Sequence, residues 1–236
     1  MKTITLALFG ILLLGSTLIL SGCSKDETAK KEDSYKKNEK TSTQQTAGTE
    51  TKTPPVTPTG NKIAVATEKS KLEWSGKKVT GQHNGIVKIK SGDLYVDNEK
   101  ITGGNFDIDF TTIEVLDLKD SEMNAKLTNH LKSDDFFGAS NFPTGKFVIS
   151  SIESVNDDKG NNAKVNGSLT IKGITKPVSF PAKVSVNNGK VSATGEFTID
   201  RTLWDIKFRS GKFFENLGDN LIYDDFTIKL NLAAGA

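Results

Sequence analysis

Thiols and imidazoles are almost missing from this chain: one cysteine, Cys23, and two histidines, His83 and His130, in 236 residues. With Cys23 assigned below to acylation, nothing is left for a disulfide, a thiolate metal site or a cysteine nucleophile. Two histidines exclude a three-histidine zinc site, and no metal is expected. Neither sign of charge dominates, since the formal net charge is +2 with acids and bases interleaved. Composition therefore gives no argument for a nucleic-acid partner. The sequence holds no Gly-x-Ser-x-Gly elbow, phosphate loop, His-Glu-x-x-His pair or dinucleotide fingerprint. No catalytic constellation can be assembled, and the chain is expected not to be an enzyme.

Long apolar runs are also absent, except at the N-terminus. Lys2 precedes an apolar stretch over residues 4–20, broken by Thr5, Gly10, Gly15, Ser16 and Thr17. A basic start, a short apolar core and small residues before a cut site describe a secretory signal. A spanning helix wants about 20 unbroken apolar residues, which this stretch does not supply. The ending Leu20-Ser21-Gly22-Cys23 resembles a bacterial lipobox, which implies cleavage before Cys23 and acylation of its thiol by chains of the palmitate class. At about 0.8 kcal/mol per buried methylene, two or three such chains make a lasting membrane anchor.

Residues 24–60 are rich in Lys, Glu, Thr, Ser and Gln, hold Pro54, Pro55 and Pro58, and carry Tyr35 as their only aromatic. Such a segment cannot bury enough apolar surface to offset the entropy of ordering. As a flexible tether its root-mean-square span is about 30–35 Å. The tract Ser24-Lys25-Asp26-Glu27 resembles the lysine-plus-acid signal that sends some lipoproteins to the outer face of the outer membrane. Composition then shifts: twelve of the thirteen phenylalanines and both tryptophans lie in residues 61–236. The expected layout is a signal peptide over 1–22, a lipidated tether over 23–60 and one domain over 61–236. A domain of this size buries roughly 70% of its unfolded surface.

Period-two alternation dominates that domain. Val191, Ala193, Gly195, Phe197 and Ile199 share one face, and Ser192, Thr194, Glu196 and Thr198 the other. Phe106, Ile108 and Phe110 alternate with Asp107 and Asp109; Val165, Leu169 and Ile171 with Ser168 and Thr170. Phe226, Ile228, Leu230 and Leu232 alternate with Thr227, Lys229 and Asn231. Leu72 and Trp74 face one way, and Phe147 and Ile149 open a further strand. Asp157-Asp158-Lys159-Gly160 and Asn187-Asn188-Gly189 read as hairpin connections. One apolar and one polar face, strand after strand, means antiparallel sheet with a single wet side. Eight or more such strands must close into a barrel or stack as a sandwich, because open edges invite aggregation. Met123, Leu127, His130 and Leu131, after the capping candidates Asp120 and Ser121, predict one helix, placed to cover an end.

Three blocks carry a family match: HLKSDDFFGASNFPTGKF over residues 130–147, GSLTIKGITKPV over 167–178 and EFTIDRTLW over 196–204. GQHNGIVKIKSGDL over 81–94 and YDDFTIKLNL over 223–232 are weaker. Together they resemble the YceI-like family across residues 61–236. The resemblance implies an all-β fold, a lipocalin-like antiparallel barrel of about eight strands with one short helix. Its interior would hold a long-chain isoprenoid or similar amphiphile, such as a quinone, and the protein would belong to the cell envelope. The lipobox and tether depart from simpler, freely diffusing periplasmic members. They point to lipid anchoring in the outer membrane, facing the periplasm or the surface. A homodimer is among the expected assemblies. The alternative is a solid, ligand-free barrel that binds another envelope protein.

The expected pocket wall is Trp74, Phe106, Ile108, Phe110, Phe136, Phe137, Phe147, Ile149, Leu169, Ile171, Phe197, Ile199, Phe226 and Ile228. If the barrel is solid, the same residues are core. Phe136-Phe137 either lines the pocket under the helix or pins its loop to the core. Head-group candidates are Arg201, Lys207 and Arg209, the last two interleaved with Phe208, Phe213 and Phe214. Asp200-Arg201 is expected as an ion pair at a strand end. Asp134-Asp135 and Asp224-Asp225 read as turn and capping residues rather than an acid–base pair. His83 is expected in a loop as a hydrogen-bonded structural residue. His130 is placed where a positive ring suits a helix C-terminus.

Overall fold

The computed structural model describes residues 57–235, so Cys23, the signal segment and the greater part of the tether lie outside the described residues. The strands are β1 (Asn61–Ala64), β2 (Lys71–Lys78), β3 (Gly81–Asp97), β4 (Lys100–Val115), β5 (Thr144–Ser154), β6 (Ala163–Ile171), β7 (Ile174–Asn187), β8 (Lys190–Asp200) and β9 (Ile222–Ala234). The helix α1 (Ser121–Lys132) joins β4 to β5. From β2 to β9 every strand pairs antiparallel with the next, and β9 pairs back onto β2. Eight strands thus close into a barrel, which leaves no free edge and removes the sandwich reading. The short β1 lies against the far half of β3, with Asn61 opposite Val96 and Ala64 opposite Asp93.

Turn chemistry sets the register. Asn188 and Gly189 both have positive φ (50° and 74°), as do Lys172 and Gly173 (49° and 74°) and Asn98 and Glu99 (47° and 62°). Two-residue loops with positive φ at both positions match the right-handed twist of the strands they join. Alternation is interrupted where bulges insert a residue. In β3 the buried apolar side chains are Val87 and Ile89, then Leu94 and Val96, and the pairing with β4 shifts between Ile89 and Ser91. In β4 they are Phe106 and Phe110, then Ile113 and Val115. Each bulge adds local twist, and long strands coil round the barrel without turning apolar side chains outward.

Consecutive antiparallel strands put alternate connections at opposite ends. One end carries the β2–β3 turn, the β4–α1–β5 segment, the Lys172-Gly173 turn and the β8–β9 connection (residues 201–221). Lys172 Nζ ties three of these together, donating to the carbonyls of Asp134 at 3.0 Å and Asp205 at 3.3 Å. The chain enters at the other end, where the Thr102 hydroxyl donates to the Thr59 carbonyl and Pro58 packs over Gly103. The helix starts as anticipated: Asp120 Oδ1 accepts from the Met123 amide at 2.8 Å, which satisfies one of the first unpaired helical donors. Its apolar stripe is weaker than its spacing suggests. Met123 is half exposed, no residue of α1 is fully buried, and Leu131 in the last turn reaches the core.

Candidate functional site

A cavity of about 210 Å³ runs through the barrel interior. At the helix end it is lined by Leu131, Phe136, Phe137 and Ile206; towards the chain-entry end by Ile101, Ile152 and Val184. All fourteen side chains singled out as inward-facing border it. Period two fixes which face of a strand a residue takes, so alternation carried the twelve strand residues, while Phe136 and Phe137, which lie in no strand, rested on the family resemblance. The barrel is therefore hollow, and its interior is not the filled core that the solid alternative requires.

Why it stays hollow lies in three inward glycines. A Cβ on Gly145 would stand 2.5 Å from Phe110 Cζ; one on Gly85 would meet the Glu114 carbonyl first and Trp74 Cζ2 at 2.6 Å; one on Gly167 would overlap the Phe147 ring and stand 2.5 Å from the Val148 carbonyl. Each ring therefore lies flat on glycine backbone along the wall instead of pointing at the axis. The rings then pack on one another around the lumen. Phe106 packs on Phe147 (6.3 Å between centroids), Phe147 on Phe180 (5.8 Å) and Phe180 stacks on Phe197 (4.2 Å). Nearer the helix, Phe137 bridges Phe110 at 4.8 Å and Phe226 at 6.5 Å. Phe136 is buried and packs on Phe208 at 5.6 Å, while His130 meets both rings edge-on. The double phenylalanine thus lines the cavity and pins the loop at once.

Chemically this cavity is suited to enclosing an apolar chain. Its lining is almost wholly apolar; Arg201 and Tyr223 border it at the helix end, where Tyr223 stands half exposed on β9. A void of about 150 Å³ already takes up benzene, whereas drug-sized sites begin near 300 Å³. Length with little width suits a slender chain better than a fused ring system.

Arg201 is less free than a head-group ligand should be, and its expected partner is wrong. The guanidinium is 4% exposed and pairs with Asp224 at 3.3 Å, not with Asp200. Its Nη1 donates to the Ile206 carbonyl (2.8 Å), Nη2 to that of Ile222 (3.0 Å) and Nε to that of Tyr223 (3.2 Å). Burial pushes its pKa down, and the charges of Asp224 and Asp200 partly offset this. Asp224 is correspondingly no turn residue: it lies inside β9, with Oδ1 buried and accepting no hydrogen bond of good geometry. Asp200 serves instead as a cap, accepting from the Thr202 amide and hydroxyl at 2.9 and 2.6 Å, and it pairs with Lys212. Burial pushes the Asp200 carboxyl up, but the bonds from Lys212 and Thr202 outweigh it and hold the group below its ordinary value.

Lys207 and Arg209 do not border the cavity. Lys207 pairs with Asp205 and lies 5.1 Å from the Phe213 ring centre, and Arg209 lies 5.1 Å from that of Phe208. His83 is in β3 rather than a loop, opposite Gly76, and its Nδ1 is 2.8 Å from Asp117 Oδ2. Burial raises the Asp117 carboxyl, while the Asn84 amide and His83 together lower it further, leaving it below the usual range. Asp135 pairs with His130 Nε2 at 3.0 Å, and Asp134 accepts from Asn141. These carboxylates stand in separate places, and among the described residues no group of three or more His, Cys, Asp or Glu gathers as a metal site.

Lining residues that escaped sequence reading include Val87, Leu94, Ile113, Phe180 and Ile206. Leu94 and Ile113 follow bulges, which no periodic count locates, and Ile206 sits in an irregular connection.

Residues 64–234 match the model of the YceI-like domain. The chain belongs to the YceI-like family. Among relatives, a UPF0312 protein of Shewanella denitrificans is 36% identical over 92 residues, which is 39% of this chain and 44% of that one. One from Pseudomonas putida is 37% identical over 99 residues, 42% of this chain and 47% of the relative. The matched stretches thus span less than half the length of those relatives. Two solved structures share the fold. Burkholderia cenocepacia BcnA has a TM-score of 0.55 at 24% identity, over 72% of this chain and 98% of that one. A polyisoprenoid binding domain from Saccharophagus degradans has a TM-score of 0.53 at 10% identity, over 74% and 98%. Closure into a lipocalin-like barrel with one helix is common to this YceI-like chain and to the expectation drawn from its sequence.

Proposed function

We propose that this YceI-like protein is a lipid-anchored carrier of the cell envelope that encloses a polyisoprenoid or similar long-chain amphiphile and performs no chemistry on it. The observation that carries the reading is the apolar cavity running the length of the barrel. Burying one isoprene unit of four to five carbons contributes about 3 kcal/mol at 0.8 per carbon, so a few units bind without any polar recognition. The likeness in fold to a polyisoprenoid binding domain supports the same ligand class. Cys23 after Leu20-Ser21-Gly22 supports acylation and residence at the outer membrane, with the sequence between it and the barrel as a tether.

Residues 57–236 contain every strand of the closed sheet and its core, so this piece is suited to the test. Expressed in bacteria and extracted with organic solvent, it should release one amphiphile per barrel by mass spectrometry. Absence of any such molecule, together with no uptake of added polyprenol, contradicts the carrier reading. For the anchor, Cys23→Ala should give an unprocessed chain that no longer incorporates labelled fatty acid; continued labelling contradicts it.

A further inference from the structure

We propose that the helix end of the barrel is a membrane-docking face, which seats on a bilayer containing anionic phospholipid through the connection between β8 and β9. Nine large apolar side chains stand exposed among the described residues, and eight are at this end: Val79, Leu116, Met123, Phe142, Leu203, Phe213, Phe214 and Tyr223. The ninth, Val148, is on the barrel wall. Single exposed apolar residues need no explanation, but segregation to one end does.

The placement is built rather than frayed. The amides of Phe213 and Phe214 both donate to the carbonyl of Ser210, at 3.1 and 3.0 Å, and Ser210 is fully buried. Arg209 accepts from the Ile222 amide at 3.0 Å, and the Val79 amide donates to Leu221 at 3.2 Å, which fastens the connection to β9 and to the β2–β3 turn. Two adjacent phenylalanine rings are thereby held half in water although the core is a short distance away.

The chemistry of the surroundings selects a bilayer over a protein partner. Within residues 207–214 the aromatics alternate with Lys207, Arg209 and Lys212; Lys207 pairs with Asp205 and Lys212 with Asp200 in exposed ion pairs that can exchange for phosphate, and Arg209 has no acidic partner among the described residues. Protein interfaces are depleted of lysine at their centres. A rim of cations around apolar tips instead suits the headgroup layer, where rings enter the acyl boundary and long basic side chains reach back to phosphates. The apolar tips come from several separate connections around an end, not from one groove that a peptide would fill. Tyr223 borders both this face and the cavity, so the docked face and the helix end of the cavity are neighbours. Thr59 and Pro58 sit at the opposite end, so the preceding chain does not cover the face. Docking rests on exposure and placement alone; its use for lipid exchange rests on the carrier reading.

Flotation of residues 57–236 with vesicles of mixed phosphatidylethanolamine and phosphatidylglycerol tests it. The domain should float with the vesicles. Phe213→Ser combined with Phe214→Ser should lower partitioning about tenfold or more, since each lost ring removes apolar area from the acyl boundary. Val148→Ser on the wall should change it less than about twofold, and the loop variant should still load polyprenol in solution. A domain that stays unbound, or a loop variant that floats like the parent, overturns the proposal. So does a stable dimer that the loop substitutions dissolve without any flotation, which would give the face to a second copy. Flotation without polyprenol loading would remove the carrier reading and leave the docking face; loading without flotation does the reverse.

Discussion

Arg201 sits with its charge against an apolar lumen, yet three backbone carbonyls and Asp224 surround it. Removing one member of such a buried set leaves the rest unpaired, so Arg201→Met should destabilise the domain by about 3–5 kcal/mol in urea denaturation. Lys212 is more than half exposed, and Lys212→Met should move the urea midpoint far less than Arg201→Met does. The pair separates a structural latch from a surface contact. A carboxylate whose folded pKa is lowered contributes stability above the unfolded value and loses it as pH falls through the folded one. For Asp200 that contribution is complete above about pH 5 and declines as pH drops through the ordinary aspartate value near 4 and below. Asp200→Asn keeps the acceptor for Thr202 and removes the charge. Its stability should therefore vary less with pH below 5 than that of the parent, as urea midpoints measured across the range will report. The sequence put Arg201 beside Asp200 and hid Asp224, 23 positions on, because only the register of β8 on β9 brings those two together.

At the scale of elements, the inward glycines decide whether the lumen exists. Gly167→Ala places a methyl where the Phe147 ring now lies, so the ring must swing towards the axis. The affinity for polyprenol should fall about tenfold or more, with an overpacking cost of about 1–3 kcal/mol. Phe147→Leu in the same chain should recover part of the lost affinity by equilibrium binding of labelled polyprenol, since the Val148 carbonyl 2.5 Å from the added methyl remains. No recovery at all would mean that the ring is not what the glycine accommodates. Much of the element level was legible: alternation gave β6, β8 and β9 and their inward faces, and Asp120 marked the start of α1. What escaped has physical causes. Bulges in β3 and β4 reverse the parity, so Leu94 and Ile113 fall on the face that a count assigns to solvent. The Asn98-Glu99 and Lys172-Gly173 turns resemble ordinary solvated pairs until both φ values are seen to be positive. Hollowness had a readable trace, glycine at an inward position across from an aromatic, which hydrophobic patterning alone treats as a gap.

At the scale of the molecule, eight strands close an almost wholly apolar cavity with one charged residue, Arg201, at its border, and the proposed enclosure of a long-chain amphiphile rests on it. The two tryptophans report on it separately. Trp74 lines the cavity, whereas Trp204 is buried outside the lining with its indole N–H donating to the Leu169 carbonyl at 3.0 Å. A long-chain amphiphile brominated along its tail quenches an indole only on contact. Titrated into the domain, it should quench Trp74 saturably at about one molecule per barrel, and Trp74→Phe should abolish that quenching while Trp204 emission persists. No saturable quenching in the parent, or equal quenching in the Trp74→Phe variant, would contradict a ligand inside the barrel.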